Sequence, residues 1–156
     1  MKKPKIFLAT DHAGFELKEE IKNFLKNSGY DPIDEGAFEY DKEDDYPDFI
    51  IKAARKVSQN TGSKGIILGA SGQGEAIVAN KVRGIRAAVC NSNNPEIARL
   101  SREHNNANIL SIGARFVKKE DALKIIRLWL ETDFSKEPRH SRRIKKIGEI
   151  EKESCK

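Results

Sequence analysis

The feature that most restricts this chain is an alternation. Short apolar runs (Lys5-Ile6-Phe7-Leu8-Ala9, Gly65-Ile66-Ile67-Leu68, Ile85 to Cys90 and Asn108 to Ile112) are separated by longer stretches whose apolar residues recur every three or four positions. The runs have the continuity of strands buried on both faces, and the stretches have the period of helices that bury one stripe. The stripes are Leu17, Ile21, Phe24 and Leu25; Phe49, Ile50, Ala53, Ala54 and Val57; Ile97, Leu100 and His104; and Ala122, Ile125, Ile126, Trp129 and Leu130. Gly29 sits where the first helix would end, and a weaker strand signal follows near Asp31 to Asp34. Pro47 suits the first turn of a helix opening at Asp45, and Glu75 to Val82 reads as a short helix. This order predicts an α/β fold: a three-layer α/β/α sandwich around a five-stranded parallel sheet, Rossmann-like, with right-handed crossovers. In such sheets ligands bind beyond the carboxyl ends of the strands near the topological switch point. Functional residues are therefore expected just after each strand.

At 156 residues the chain is long enough for one domain, read as 1–156 with a helical tail over about 134–156. The net charge of +5 is concentrated in that tail, where 8 Lys/Arg face 4 Asp/Glu. A basic helix of this kind fits a nucleic-acid surface, a solvated face or a supply of arginines for one small anion. No stacking aromatics interleave with its basic residues, which disfavours nucleic acid. Its apolar stripe (Ile144, Ile147 and Ile150) is too thin to hold a helix down alone, so packing on the domain or on another subunit is expected. The longest uncharged run, His104 to Ala114, is too short to span a membrane. No secretory leader is read at the start of the chain. Two cysteines, Cys90 and Cys155, suggest free thiols in a reducing, cytoplasmic setting. Residues 39–48 carry six acids and one Lys and are expected to form an exposed loop.

The chemistry gathers where the strands end. The first strand ends in Thr10-Asp11-His12-Ala13-Gly14, where Asp11 fits both a helix N-cap and one member of an acid/base pair with His12. The third ends in Gly69-Ala70-Ser71-Gly72-Gln73-Gly74-Glu75, a glycine-rich turn opening a helix. Such a turn offers backbone N–H groups to an anion or oxyanion. It is not a dinucleotide fingerprint, because Ile77 takes the third glycine position. It is not a nucleotide-phosphate loop either, because Glu75 stands where that motif has Lys. Glu75 is either a favourable first-turn carboxylate or a base that removes a proton beside a carbonyl while loop N–H groups hold the enolate oxygen. Cys90 reads as a buried filler. Arg102-Glu103-His104-Asn105-Asn106 lies at a helix end, Arg115 follows the fifth strand, and Arg139 and Arg143 share a face of the tail helix. Those two arginines could clamp a phosphate. His12, His104 and His140 have no paired metal-ligand spacing, so no metal is expected.

These segments, together with Asp45-Tyr46-Pro47, Ala79-Asn80-Lys81 and Arg139-His140, resemble the family of ribose-5-phosphate isomerase B and the galactose-6-phosphate isomerase subunits over about residues 4–150. One branch of that family has a catalytic Cys at the position of Gly69. This chain has Glu75 instead and resembles the Glu-base branch. The resemblance implies an aldose–ketose isomerase acting on D-ribose 5-phosphate through a cis-enediolate. Six-carbon sugar phosphates such as allose or galactose 6-phosphate are the alternative within the class, and a non-enzymatic nucleic-acid-binding module is the distant one. It implies Glu75 as base, and Ser71 with the N–H groups of Ala70, Ser71, Gly72, Gln73 and Gly74 around the enediolate. Asp11 and His104 would assist ring opening, and Asn105 would hold sugar hydroxyls or the enediolate. His12, Arg115, Arg139 and Arg143 would bind the phosphate. It further implies no cofactor, no metal, no nucleic acid and no membrane. A homodimer or tetramer is implied, with His104, Asn105 and Arg115 entering each site from the neighbouring subunit.

Overall fold

A computed structural model describes residues 2–154; the thiol of Cys155 falls outside them. Five strands are present: β1 (Ile6–Thr10), β2 (Pro32–Asp34), β3 (Lys64–Gly69), β4 (Ala87–Cys90) and β5 (Ile109–Gly113). The helices are α1 (Phe15–Asn27), α2 (Tyr46–Gln59), α3 (Gln73–Ala79), α4 (Pro95–Asn105), α5 (Lys119–Glu131) and α6 (Pro138–Ser154). All neighbouring strands pair in parallel, in the order β2-β1-β3-β5-β4. The expected three-layer sandwich around a five-stranded parallel sheet is therefore present.

Side-chain alternation along each strand builds two cores from one sheet. Ile6, Leu8, Ile66, Leu68, Leu110 and Ile112 pack with α1, α4 and α5 around Trp129, which is fully buried. Phe7, Ala9, Ile67 and Ile109 face Ile50, Ala53, Ala54 and Val57 of α2 and Ala79 of α3. The buried Trp129 indole N–H donates to Ser101 Oγ at 3.1 Å, so no polar atom is stranded there. Cys90 belongs to the first core and is 1% exposed; burial pushes its thiol up, as expected of a filler.

The fourth strand is shorter than the apolar run Ile85 to Cys90 suggested. Asn108 Oδ1 takes the N–H of Arg86 at 2.8 Å, and Asn80 exchanges two hydrogen bonds with the Ala87 backbone. Side chains thus satisfy the backbone where ladder pairing would otherwise have begun.

Because β2 pairs on one side of β1 and β3 on the other, the switch point falls between β1 and β3. A buried ion pair fixes the segment after β2 that flanks it. Lys18 of α1 is 0% exposed, and its ammonium donates to Asp34 Oδ1 and to the Ala37 carbonyl, both at 2.6 Å. Burial raises the Asp34 carboxyl, but hydrogen bonds from Lys18, Lys22 and the Gly36 N–H outweigh it and the net shift is downward. The stability this carboxylate contributes is therefore present above its unfolded pKa and lost as pH falls through the lower folded value. Asp34→Ala strands a buried ammonium and is expected to cost about 3–5 kcal/mol, more than Lys18→Met, in urea denaturation at pH 7. The difference between wild type and Asp34→Ala should shrink when the titration is repeated at pH 3.

Candidate active site

The turn after β3 is assembled from behind by β5. Gly69 and Ala70 carbonyls accept the N–H groups of Ala114 (2.8 Å) and Arg115 (3.1 Å), and the buried Ser111 hydroxyl donates to the Gly72 carbonyl at 2.6 Å. The carbonyls of Gly69, Ala70 and Gly72 are thus consumed; the Gly72 N–H acts on the Glu75 carboxylate, while among the described residues no acceptor takes the N–H groups of Ala70 or Ser71. Gly72 has φ +78°, and a Cβ there would lie 3.0 Å from the Ile112 carbonyl carbon, so this tight seat on β5 requires glycine. Ser71 Oγ accepts the Gln73 N–H at 3.3 Å, a bond close to the distance limit that leaves the hydroxyl proton free.

Glu75, in the first turn of α3, is 4% exposed. Its carboxylate folds back over the Cα of Gly69 and occupies the space that a Cβ on residue 69 would need. A side chain at 69 and an inward carboxylate at 75 are therefore mutually exclusive, which accounts for Gly69 in physical terms. Burial pushes the Glu75 carboxyl up; N–H groups of the turn lower it, and the nearby charge of Asp11 adds to the rise.

Across the switch point, Asp11 at the end of β1 is 6% exposed, and its Oδ1 accepts the Ala13 N–H at 3.0 Å. The N-cap role is thus present, on a short 3-10 turn over His12–Gly14. Burial raises Asp11 as well. Two buried carboxylates, each biased toward its neutral form, thus share this corner. His12 follows, with its ring Nδ1 2.6 Å and its backbone N–H 3.0 Å from the same oxygen, Asp44 Oδ1. Arg115 lies at this end too, and its charge falls on His12. The resemblance assigns Arg115 to the neighbouring subunit's site; in the chain itself β5 delivers it beside the turn of residues 69–75.

His104 and Asn105 lie elsewhere. They end α4, which returns from the carboxyl end of β4 to the start of β5. The five residues of β5 separate them from Glu75 by roughly 15 Å of sheet. Arg139 and Arg143 start α6 at the same far end, where the His104 and His140 rings stack with centroids 4.3 Å apart and the Glu103 carbonyl accepts the Ser135 N–H. The expectation that functional residues follow each strand is therefore met by Asp11, His12, Ala70 to Glu75 and Arg115. His104, Asn105, Arg139 and Arg143 lie instead on α4 and α6, the helix positions their sequence pattern indicated. Within one chain the candidate residues form two groups at opposite ends of the sheet.

The acidic stretch is exposed as expected except at Tyr46, which packs on the second core, and at Asp44, whose side chain is 8% exposed. Its inward role was not legible among six carboxylates without periodicity; adjacency to the helix start at Asp45 was the one local cue. Asp11, His12 and Asp44 bring ligand atoms within 4.8 Å of one another. His12 Nδ1 is already engaged by Asp44, so the geometry is that of a hydrogen-bonded dyad beside a carboxylate, and no metal is assigned to it.

A family profile for ribose/galactose isomerases matches residues 6–147. Ribose-5-phosphate isomerase B of Mycolicibacterium paratuberculosis is 49% identical over 148 residues, covering 95% of this chain and 92% of that protein. The structure of ribose-5-phosphate isomerase B from Clostridium thermocellum superposes with a TM-score of 0.90 at 47% identity, covering 96% and 99% of the two chains. That from Mycoplasma genitalium, solved with bound ribulose-5-phosphate, gives 0.92 at 40% identity, covering 98% and 99%. On this match in sequence and fold, with the glycine-rich turn and buried carboxylates standing at the switch point, the chain belongs to the ribose/galactose isomerase family.

Proposed function

We propose that this chain interconverts D-ribose 5-phosphate and D-ribulose 5-phosphate, with Glu75 as the base. The observation that carries this reading is the Glu75 carboxylate: buried, raised in pKa and folded over Gly69, beside a turn with unpaired N–H groups. The relative with bound ribulose-5-phosphate supports the substrate class. The reading takes residues 1–156 as one domain.

In this mechanism Asp11 and His104 move the protons that open the furanose ring. Glu75 then removes the C2 proton of the open-chain aldehyde. The C–H electron pair forms the C1=C2 bond, and the carbonyl electrons move onto O1. The N–H groups of residues 70–74 and the Ser71 hydroxyl stabilise the resulting cis-enediolate, an arrangement worth up to ~10²–10³ in rate per donor. Glu75 returns the proton to C1 while the O2 proton passes to O1, leaving the C2 ketone and a C1 hydroxyl. Asn105 holds the sugar hydroxyls. His12, Arg115, Arg139 and Arg143 bind the remote phosphate, whose binding energy fixes the reacting carbons against Glu75. A raised carboxyl pKa suits the task, since a base poised nearer neutrality both takes and returns a proton.

The two groups of residues require a second copy of the chain to bring His104, Asn105, Arg139 and Arg143 to the Glu75 end. Ile147 (48% exposed) and Ile150 (62% exposed) of α6 line a groove with Ile85, Ala87 and Ala88 beside the edge strand β4. That uncovered apolar face supports a homodimer as the working unit, and it gives the thin stripe of the tail its use.

Glu75→Gln should lower kcat on ribose 5-phosphate by at least ~10²-fold. The same variant should be at least as stable as wild type at pH 7. A carboxyl raised by folding contributes stability only at low pH and loses it as pH rises through the folded value, so an uncharged amide removes a cost near neutrality. Loss of activity together with loss of stability would point to a structural role. Gly69→Ala should displace the Glu75 carboxylate and lower kcat by ~10²-fold with the circular dichroism spectrum unchanged. Unaltered turnover in Gly69→Ala would show that the carboxylate is not needed where it lies. Parallel assays on allose and galactose 6-phosphates decide between five- and six-carbon substrates.

A further inference from the structure

We propose that Asp44 is a positioning residue that orients His12 and keeps it in the imidazolium form to receive the phosphate of the substrate. The inference rests on the reading of His12 as a phosphate ligand.

One carboxylate oxygen, Asp44 Oδ1, takes both N–H groups that His12 can turn toward it, the ring Nδ1–H at 2.6 Å and the backbone N–H at 3.0 Å. Two bonds to one atom fix both the position of the residue and the rotation of its ring. With Nδ1–H committed, Nε2 is the remaining ring nitrogen. The Tyr40 ring meets the imidazole edge-on at a centroid distance of 6.2 Å and limits its movement further. Asp44 itself is 8% exposed, and its Oδ2 is buried with no hydrogen-bond partner among the described residues. A buried carboxylate with one oxygen unsatisfied is expensive unless a cation lies against the other. His12 lies against it and, when protonated, supplies that cation.

Sign decides what this pair is for. Set near a phosphate dianion, a bare Asp44 would repel it. A charged His12–Asp44 pair presents a donor instead, with the anion on its far side. The charged and titratable groups facing His12 are Asp44, Asp11, Arg115 and Tyr40; the hydrogen bond to Asp44 raises the imidazole most, burial opposes it, Asp11 raises it further and Arg115 lowers it, with the net shift upward. The proton on Nε2 therefore persists to higher pH than on a free histidine.

The test is steady-state kinetics on ribose 5-phosphate from pH 6 to pH 9 for wild type, Asp44→Asn, His12→Gln and the double variant. Asp44→Asn keeps an acceptor for Nδ1–H and removes the charge. It should raise KM at pH 8 roughly tenfold, with kcat within about twofold of wild type, and the deficit should shrink toward pH 6 where the imidazole charges unaided. Placed on His12→Gln, the same change should leave KM unchanged or lower it, because only the repulsion remains to be removed. An Asp44→Asn enzyme with wild-type KM across the range, or one whose deficit is equal at pH 6 and pH 8, overturns the proposal. If His12→Gln leaves KM unaltered, the phosphate role of His12 fails first, separately from Asp44. Should Asp44→Asn not fold, the same KM profile in Asp44→Ser decides by the same criteria.

Discussion

The arrangement depends on one crowded place, where the Glu75 carboxylate lies over Gly69. Neither residue makes sense without the other: the carboxylate needs an absent side chain, and the absent side chain would leave a void without the carboxylate. Burying that group beside Asp11 is unfavourable to the fold, and it is tolerated because β5 pins the surrounding turn from behind. In the proposed mechanism folding stability is thus given up for a base poised nearer neutrality.

A second constraint is topological. In a parallel sheet every helix carries the chain back to the opposite end, so residues at helix ends stand a full strand length from residues at strand ends. Asp11, the turn of residues 69–75 and Arg115 stand at one end; His104, Asn105 and the first turn of α6 stand at the other. No side-chain rotation closes a gap of roughly 15 Å. In the proposed dimer a second copy related by a two-fold axis would close it twice, once for each chain, which is the economy of an isologous interface. The groove between α6 and the edge strand β4, apolar at Ile147, Ile150 and Ile85, would give such a copy surface to bury.

Much of the fold was legible in the sequence because buried strands and amphipathic helices carry different periods, and the two cores follow directly from alternation in Ile6 to Ala9 and in Ile66 to Leu68. What was lost was lost to side chains standing in for backbone. Asn108 and Asn80 shorten β4, and neither has a periodic signature. The turn around Glu75 was legible because it is local: a glycine-rich segment with an acid at its end. Asp44 was not, because burial of one carboxylate among six is a property of the folded loop. Arg115 was legible as the turn was, because its position just after β5 places it at the same end of the sheet as that turn.

The central claim is that each chain carries two incomplete halves of one site. Subunit mixing tests it most directly. Glu75→Gln and His104→Ala subunits, each inactive alone, are combined in equal amounts under conditions that allow exchange. Mixed dimers would hold one intact site of two, so activity should return to about a quarter of the wild-type value. Continued inactivity after exchange has been demonstrated would contradict the account and place both residues in a site within a single chain.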